Sequence, residues 1–285
     1  MSSKDQFTYQ LPQSFLMCPV CQSALVQDGR VFQCENRHSF DQAKEGYINL
    51  LLANQKSSKS PGDNPDMLMA RRAFLDAGYY QPVVDGIAGC INDWQKNERQ
   101  HRLLDCGCGE GYYVNELQKK LNGQWFTSGL DIAKEGVRLA AKRYKHSEWI
   151  CASGEHLPVS TNSIDVLLRV FAPGNNAEVY RVLNDTGMFI NVSPSENHLV
   201  EIKRELYDDI KPYAIPKPPD HFFSFETKKI TYTLDLKDNQ SVKSLLSMTP
   251  FLWKGKREGR ETLKKKDSLN VTVDMNIHCF KKIDR

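Results

Sequence analysis

From residue 102 onward, short apolar runs alternate with amphipathic stretches. Residues 102–106, 126–132, 149–152, 164–171 and 188–192 are brief runs rich in branched apolar side chains, which predicts strands. Residues 113–121, 135–144 and 177–183 space their apolar positions as a helix does, and another helix is predicted over 197–209. Such βα alternation argues for a parallel sheet covered on both faces. Nearer the end, 229–236 and 269–280 read as long strands flanking a helix at 242–246. No crossover helix follows, so the last strand is expected to insert antiparallel. Upstream, Asp63 is the expected N-cap of a helix carrying Met67, Ala70, Phe74 and Leu75 and closed by Gly78. Pro82 opens a second helix that runs toward Trp94. Residues 54–62 are polar and aperiodic, as a loop or hinge would be, and residues 15–52 are rich in Cys, His and turn formers. Three units are expected: a small module over 1–52, a linker and helical segment over 53–100, and an α/β domain over 101–285.

Composition narrows the class. A chain of 285 residues with 40% apolar content can bury a sizeable core, which excludes wholesale disorder. Its apolar runs fall far short of the ~18 residues of a membrane span, so no membrane partner is expected. The start, Met-Ser-Ser-Lys-Asp-Gln, lacks the pattern of a signal peptide. The expected compartment is the cytoplasm, where eight cysteines would stay mostly reduced. A net charge of +3, from 38 basic and 35 acidic residues, does not imply nucleic acid by itself. From Trp253 to the end, ten Lys/Arg face five Asp/Glu, including Lys264-Lys265-Lys266. That stretch either meets phosphates or is a solvated helix face.

Cys18-Pro19-Val20-Cys21 is followed by Cys34 and then His38, a C-x2-C-x12-C-x3-H pattern. Two tight turns, each carrying two ligands, bring four soft-to-borderline donors together, the set that Zn²⁺ prefers in closed structural sites. A segment this short has too little core to fold alone, so the metal would substitute for one. The competing reading is a redox Cys-x-x-Cys, but the βαβ pattern such a motif opens is missing around it. Cys90, Cys106, Cys108, Cys151 and Cys279 have no comparable spacing and read as buried small side chains.

Asp105-Cys106-Gly107-Cys108-Gly109-Glu110-Gly111 ends one predicted strand and opens a helix. The spacing is G-x-G-x-G, not the G-x-G-x-x-G of dinucleotide folds. Glycines admit a ligand close to the backbone, and acidic residues can hold an ammonium or ribose hydroxyls. Asp131 ends the next strand, where a carboxylate can accept both ribose hydroxyls, and residues 152–158 follow the third strand. This set suits S-adenosylmethionine (SAM) better than NAD.

These motifs resemble the bacterial 23S rRNA (guanine-N1)-methyltransferases. The likeness runs from about Phe15 to Lys282, and its narrowest part is Ala43-Lys44-Glu45-Gly46-Tyr47 joined to the Cys/His quartet. Pro61-Gly62-Asp63, Ala70-Arg71-Arg72-Ala73-Phe74-Leu75, Gly78-Tyr79-Tyr80-Gln81-Pro82 and Met248-Thr249-Pro250-Phe251 extend it. The resemblance implies a Rossmann-like class I methyltransferase sheet with an N-terminal zinc-binding module, methyl transfer to N1 of a guanine in a 23S rRNA hairpin, and a homodimer. It implies SAM contacts at Tyr80, Gly109, Glu110 and His198; the residue argument adds Asp105, Gly107 and Asp131. Two departures stand out: Asn184-Asp185-Thr186-Gly187 precedes the fifth strand in place of Lys-Pro-Gly-Gly, and Gly174 stands where the family often has Cys.

In this fold the loop after the fourth strand faces the acceptor. Here Arg169 is expected to stabilise developing negative charge and Phe171 to stack on an extruded base, although a salt-bridged Arg169 and a core Phe171 are the plainer alternatives. Arg30, Arg37 and Lys44 of the module, with Lys56 and Lys59 of the link, are expected to line the RNA side of a cleft. A SAM methyltransferase acting on a small molecule such as a quinone, and a zinc-module RNA binder without turnover, are the competing functions.

Overall fold

A computed structural model describes residues 15–55, 62–95, 99–210, 213, 216–249, 251 and 255–283. Lys56 and Lys59 lie outside the described residues. The Cys-rich segment folds as three short strands, β1 (Val26–Asp28), β2 (Val31–Gln33) and β3 (Ser39–Asp41), in an antiparallel sheet of that order. Gly29 and Arg30 alone join β1 to β2, and Gly29 takes the left-handed conformation that so tight a connection requires. A fourth strand, β4 (Tyr47–Asn49), leaves this small sheet and joins the large one.

Helix α1 (Pro65–Asp76) is capped by Asn64, not by Asp63 as the sequence suggested. Asn64 Oδ1 accepts the Met67 N–H at 2.9 Å, and Pro65 occupies the first helical position, where its missing N–H costs nothing. Asp63, one residue outside, pairs with Arg71 instead. Helix α2 (Gln81–Trp94) follows, opened by Pro82 as expected.

Strands and helices then alternate: β5 (His101–Cys106), α3 (Tyr112–Gln118), β6 (Trp125–Asp131), α4 (Lys134–Arg143), β7 (Glu148–Cys151), β8 (Ile164–Val170), α5 (Asn176–Val182) and β9 (Leu183–Pro194). Helix α6 (Val200–Leu206) is shorter than the expected 197–209, because Leu199 is left-handed and the helix closes at Leu206. The chain ends with β10 (Phe222–Leu236), α7 (Asn239–Ser247), α8 (Arg257–Lys264) and β11 (Leu269–Lys282). Helix α8 was not anticipated. It contains Arg257, Arg260 and Lys264 of the basic stretch, and two charges of that stretch are paired within the protein: Lys264 with Glu261 at 3.1 Å, and Lys266, just past the helix, with Glu205 at 3.5 Å.

The large sheet has the order β10-β11-β9-β8-β5-β6-β7-β4. From β4 to β9 every pairing is parallel, and β11 inserts antiparallel between β9 and β10. This is the mixed Rossmann-like sheet of class I methyltransferases, lengthened at one edge by β4. The order reverses between β5 and β8, and the crevice above their C-terminal ends is where open α/β sheets bind ligands.

Alternation along β4 distributes its side chains to both faces. Ile48 sits opposite Ile150 and joins Leu16, Leu25 and Phe32 in one core with Leu104 and Leu130 of the sheet. Tyr47 sits opposite Trp149 and packs on the other face with Val137 and Ala140 of α4. A bridge between Leu16 and Val159 adds a second attachment. The small module therefore shares its hydrophobic core with the sheet. Among the described residues no helix is long and apolar enough to cross a membrane. Ile48→Ala, at a position only 3% exposed, is expected to cost about 2–4 kcal/mol and to shift a single cooperative unfolding transition. Denaturant unfolding followed by far-UV circular dichroism and tryptophan fluorescence checks this; two transitions, of which one moves, would contradict the shared core.

Candidate functional site

The four residues of the C-x2-C-x12-C-x3-H pattern converge. Cys18 Sγ and Cys34 Sγ each lie 3.5 Å from His38 Nδ1, and Cys21 Sγ lies 3.7 Å from Cys34 Sγ. A tetrahedral ion with Zn–S bonds of about 2.3 Å and a Zn–N bond of about 2.0 Å spaces its donors by about 3.5–3.8 Å. The donor set fits Zn²⁺ with little movement. Two matching turns set it up. Gln22 N–H donates to Cys18 O at 2.8 Å, Arg37 N–H donates to Cys34 O at 2.9 Å, and Gln22 and Arg37 are both left-handed. Hydrogen bonds from Asn36 and the Ser23 backbone lower the Cys21 thiol to about 5, so it is a thiolate at neutral pH. Burial raises Cys18.

At the other centre, the glycine loop follows β5. Gly107 N–H and Cys108 N–H both donate to the Leu130 carbonyl, at 2.7 and 3.1 Å, which folds the loop back over β6. Gly107 has φ +92, and a Cβ there would stand 2.3 Å from Ala172 Cβ. Gly111 has φ +88, and a Cβ would meet the Trp149 ring at 2.5 Å. Only glycine serves at either position.

Three carboxyls surround this loop. Asp105 is 1% exposed and neither of its oxygens has a hydrogen-bond partner among the described residues. Burial, and then the charges of Asp131 and Glu110, push it up to about 8. Glu110 is also buried, with Oε2 unpartnered, and burial raises it to about 7. Asp131 Oδ2 accepts the Gly109 N–H at 2.8 Å and Oδ1 the Ala133 N–H at 2.7 Å, so it ties the glycine loop to the next turn. Burial raises Asp131 as well. Orphaned carboxylate oxygens beside a cradle that excludes any Cβ fit a ligand bearing positive charge. Cys106 and Cys108 are buried, and burial pushes Cys106 up to about 12, which makes it no nucleophile. The 152–158 loop is pinned from below: Arg181 Nη2 donates to Leu157 O and Nη1 to Val159 O, while Glu178 accepts the Leu157 N–H.

Phe171 ends β8 in the left-handed conformation, 45% exposed, and stacks on His198 with ring centroids 5.8 Å apart. Tyr80 is buried behind His198, 6.5 Å from its ring. Burial and then nearby Lys203 lower His198 to about 4, so it is neutral at pH 7. Its Nδ1 accepts the Asp274 N–H at 3.3 Å, which leaves the ring proton on Nε2 as a donor. Arg169 is 5% exposed and lies beneath Gly174, where a Cβ would come within 2.8 Å of Nη2. Its Nη1 donates to Asn176 Oδ1 at 3.1 Å, Nε and Nη2 have no nitrogen or oxygen partner among the described residues, the guanidinium interacts with the buried Cys106 thiol, and it stands 5.2 Å over the Phe189 ring.

Comparison with known proteins agrees with this geometry. A zinc-ribbon family described as RlmA, N-terminal, matches residues 16–59, and a methyltransferase domain family matches residues 103–187. YxjB of Bacillus subtilis, provisionally named a 23S rRNA (guanine-N1)-methyltransferase, is 30% identical over 93% of this chain and 96% of its own. The 23S rRNA (guanine(748)-N1)-methyltransferase of Streptomyces fradiae is 30% identical over 84% of this chain and 86% of its own. The chain belongs to the 23S rRNA (guanine-N1)-methyltransferase family.

Within that family frame, the structure brings the glycine loop, Asp105, Glu110 and Asp131 together at one crevice, and sets Tyr80, His198 and Phe171 in a row, with Phe171 stacked on His198 and Tyr80 tilted against it. Three contributors had no role assigned from sequence. Arg71 brings Nη1 to within 3.3 Å of where a Gly109 Cβ would be, with Asp63 as its partner. Ala172 faces Gly107. Lys203 is buried, its Nζ has no hydrogen-bond partner among the described residues and stands 3.7 Å over the Tyr213 ring, and burial lowers it. For Asp63 and Arg71 the signal was present, because both fall in segments that carry the family likeness. Gly107→Ala is expected to cost about 1–3 kcal/mol of unfolding free energy, and Ala172→Gly in the same chain should return the steric part. Equal stability of Gly107→Ala and the unaltered chain in denaturant melts would contradict the close approach.

Proposed function

We propose that this chain transfers the methyl group of SAM to N1 of one guanine in a 23S rRNA hairpin. The match to the Bacillus relative across nearly the whole of both chains carries the reading, since it joins the ribbon and the methyltransferase sheet in the same order. An rRNA acceptor puts its work in the cytoplasm, and the family likeness extends the reading to a homodimer. Cys18, Cys21, Cys34 and His38 would hold Zn²⁺, which supplies a closed structural centre with no position for a reactive water.

SAM would supply an electrophilic methyl group. Asp105 and Glu110 face its positive charge, Asp131 its ribose, and the Gly107 and Gly109 backbone its close approach. Neutral His198 offers an Nε2–H to the carboxylate of the amino-acid tail, with Tyr80 fixing the imidazole from behind. Phe171 gives the flipped guanine a face to stack on, at the cost of a left-handed backbone that functional sites tolerate. Arg169 braces the acceptor loop through Asn176. Holding N1 in line with the methyl carbon is the main work, and such positioning can contribute about 7–11 kcal/mol. Arg30, Arg37 and Lys44 are exposed on the ribbon and available to phosphates.

Methylation at N1 blocks Watson–Crick pairing, so primer extension should stop at one guanine of 23S rRNA treated with the chain and SAM. Phe171→Ala should slow that transfer roughly tenfold or more while leaving SAM affinity unchanged. Transfer only to a small molecule, with rRNA unmodified, would overturn the reading. A second expectation concerns protons. Asp105 and Glu110 have folded values raised above their ordinary 3.8 and 4.5. They therefore make the fold less stable as pH rises from about 4 through 8. A cationic ligand favours their charged forms, so SAM should bind more tightly at pH 8 than at pH 6 and expel protons at pH 7. Calorimetry in two buffers of different ionisation heat measures this, and zero proton release would contradict it.

A further inference from the structure

We propose that Cys90, Cys279 and Glu226 form a second metal site, for a thiophilic divalent ion of the Zn²⁺ class, distinct from the ribbon and from the glycine crevice. Cys90 comes from α2, Glu226 from β10 and Cys279 from β11. One donor atom from each lies within 4.8 Å of the other two. Zinc bound to sulfur and oxygen spaces its ligands by about 3.4–3.8 Å, so an ion needs these groups to draw in by only about 1 Å. Thiolates with a carboxylate are a borderline-soft set that suits Zn²⁺ rather than Mg²⁺ or Ca²⁺.

The backbone is arranged for this convergence. Glu226 lies directly opposite Cys279 in the β10–β11 ladder, and the register shifts between Ser224 and Glu226. A bulge re-aims the side chains beside it. Here it leaves Glu226 next to a fully buried thiol, with the Cys90 thiol of α2 meeting both. A hydrogen bond between the two thiols lowers Cys90 and, with burial, raises Cys279, while the nearby Glu226 charge opposes ionisation of both. A divalent ion between them reverses that sign. Two thiolates and a carboxylate carry one negative charge more than the ion neutralises. Lys228, two residues along β10, reaches α2 at Gly89 and lowers both thiols, offsetting the excess. Asp93 lies one helical turn past Cys90 on the same face of α2 and, with Cys90 and Glu226, lines an adjoining cavity of about 430 Å³. Its carboxylate is not among the donor atoms that lie within 4.8 Å of one another, so it would hold a water as the fourth ligand. The ion would fasten α2 to the terminal hairpin.

Full-length chain purified without chelators should contain two zinc equivalents by elemental mass spectrometry. Cys90→Ser and Cys279→Ser should each reduce this to one, and Cys21→Ser should retain the second equivalent. Glu226→Gln keeps both thiols and should weaken the second site roughly tenfold or more in competition with a chromophoric chelator. In the cobalt-loaded protein, the part of the thiolate charge-transfer band lost in Cys21→Ser and that lost in Cys279→Ser should be different and additive. One equivalent in the unaltered chain, unchanged in Cys90→Ser, Cys279→Ser and Glu226→Gln, would overturn the proposal. So would an intact mass two hydrogens lighter, with Cys90 linked to Cys279 as a disulfide.

Discussion

Asp105 and Glu110 stand buried at the sheet's switch point with three oxygens that nothing among the described residues satisfies. Removing a carboxylate from water costs several kcal/mol, to order of magnitude, unless a cation or a proton accompanies it. The chain keeps protons there, which is why both groups titrate near neutrality rather than near 4. The glycines that let the loop fold over β6, the Asp131 clasp on Gly109, and Arg71 reaching in from α1 are all arranged around that deficit. A ligand bringing positive charge to this crevice recovers an electrostatic cost already built into the fold.

The ribbon obeys a different constraint. Its three strands enclose too few apolar side chains to be stable alone. Two solutions operate together: a Cys/His quartet spaced for a tetrahedral ion, and a fourth strand that pairs with β7. Because Ile48 and Leu16 belong to the core of the sheet, the ribbon's orientation at the sheet edge is fixed by packing. Its exposed Arg30, Arg37 and Lys44 are thereby held in a constant relation to the methyltransferase core.

What the sequence disclosed followed from how local each signal is. The Cys/His quartet and the glycine loop are set by spacing within a few residues, and the structure brings the residues of each together. The βα alternation, repeated from residue 102 onward, gave the parallel strands, and the missing crossover helix gave the antiparallel last strand. Strand β4 is three residues in a turn-rich segment, with too few positions for any period to emerge. Helix α8 turns little more than Gly259 and Leu263 inward, and a Cβ at Gly259 would come within 2.0 Å of the Glu205 carbonyl. So close a helix contact selects for absence of a side chain, which hides it from a hydrophobic pattern. At α1, Asp63 and Asn64 are equally good caps, and Pro65 decided between them. Cys90, Cys279 and Glu226 come together through hairpin register and a bulge, neither of which is written locally.

In the proposed function, the carboxylates at the switch point select a cationic donor. The most direct measurement compares, by titration calorimetry at pH 7.5, the affinity of the chain for SAM with that for methylthioadenosine. The second compound keeps the adenosine and the sulfur but has neither the sulfonium charge nor the amino-acid tail. SAM should bind more tightly by roughly a hundredfold or more, or about 3 kcal/mol. Equal affinities would mean that the buried charge does not recognise the ligand, and the account would fail.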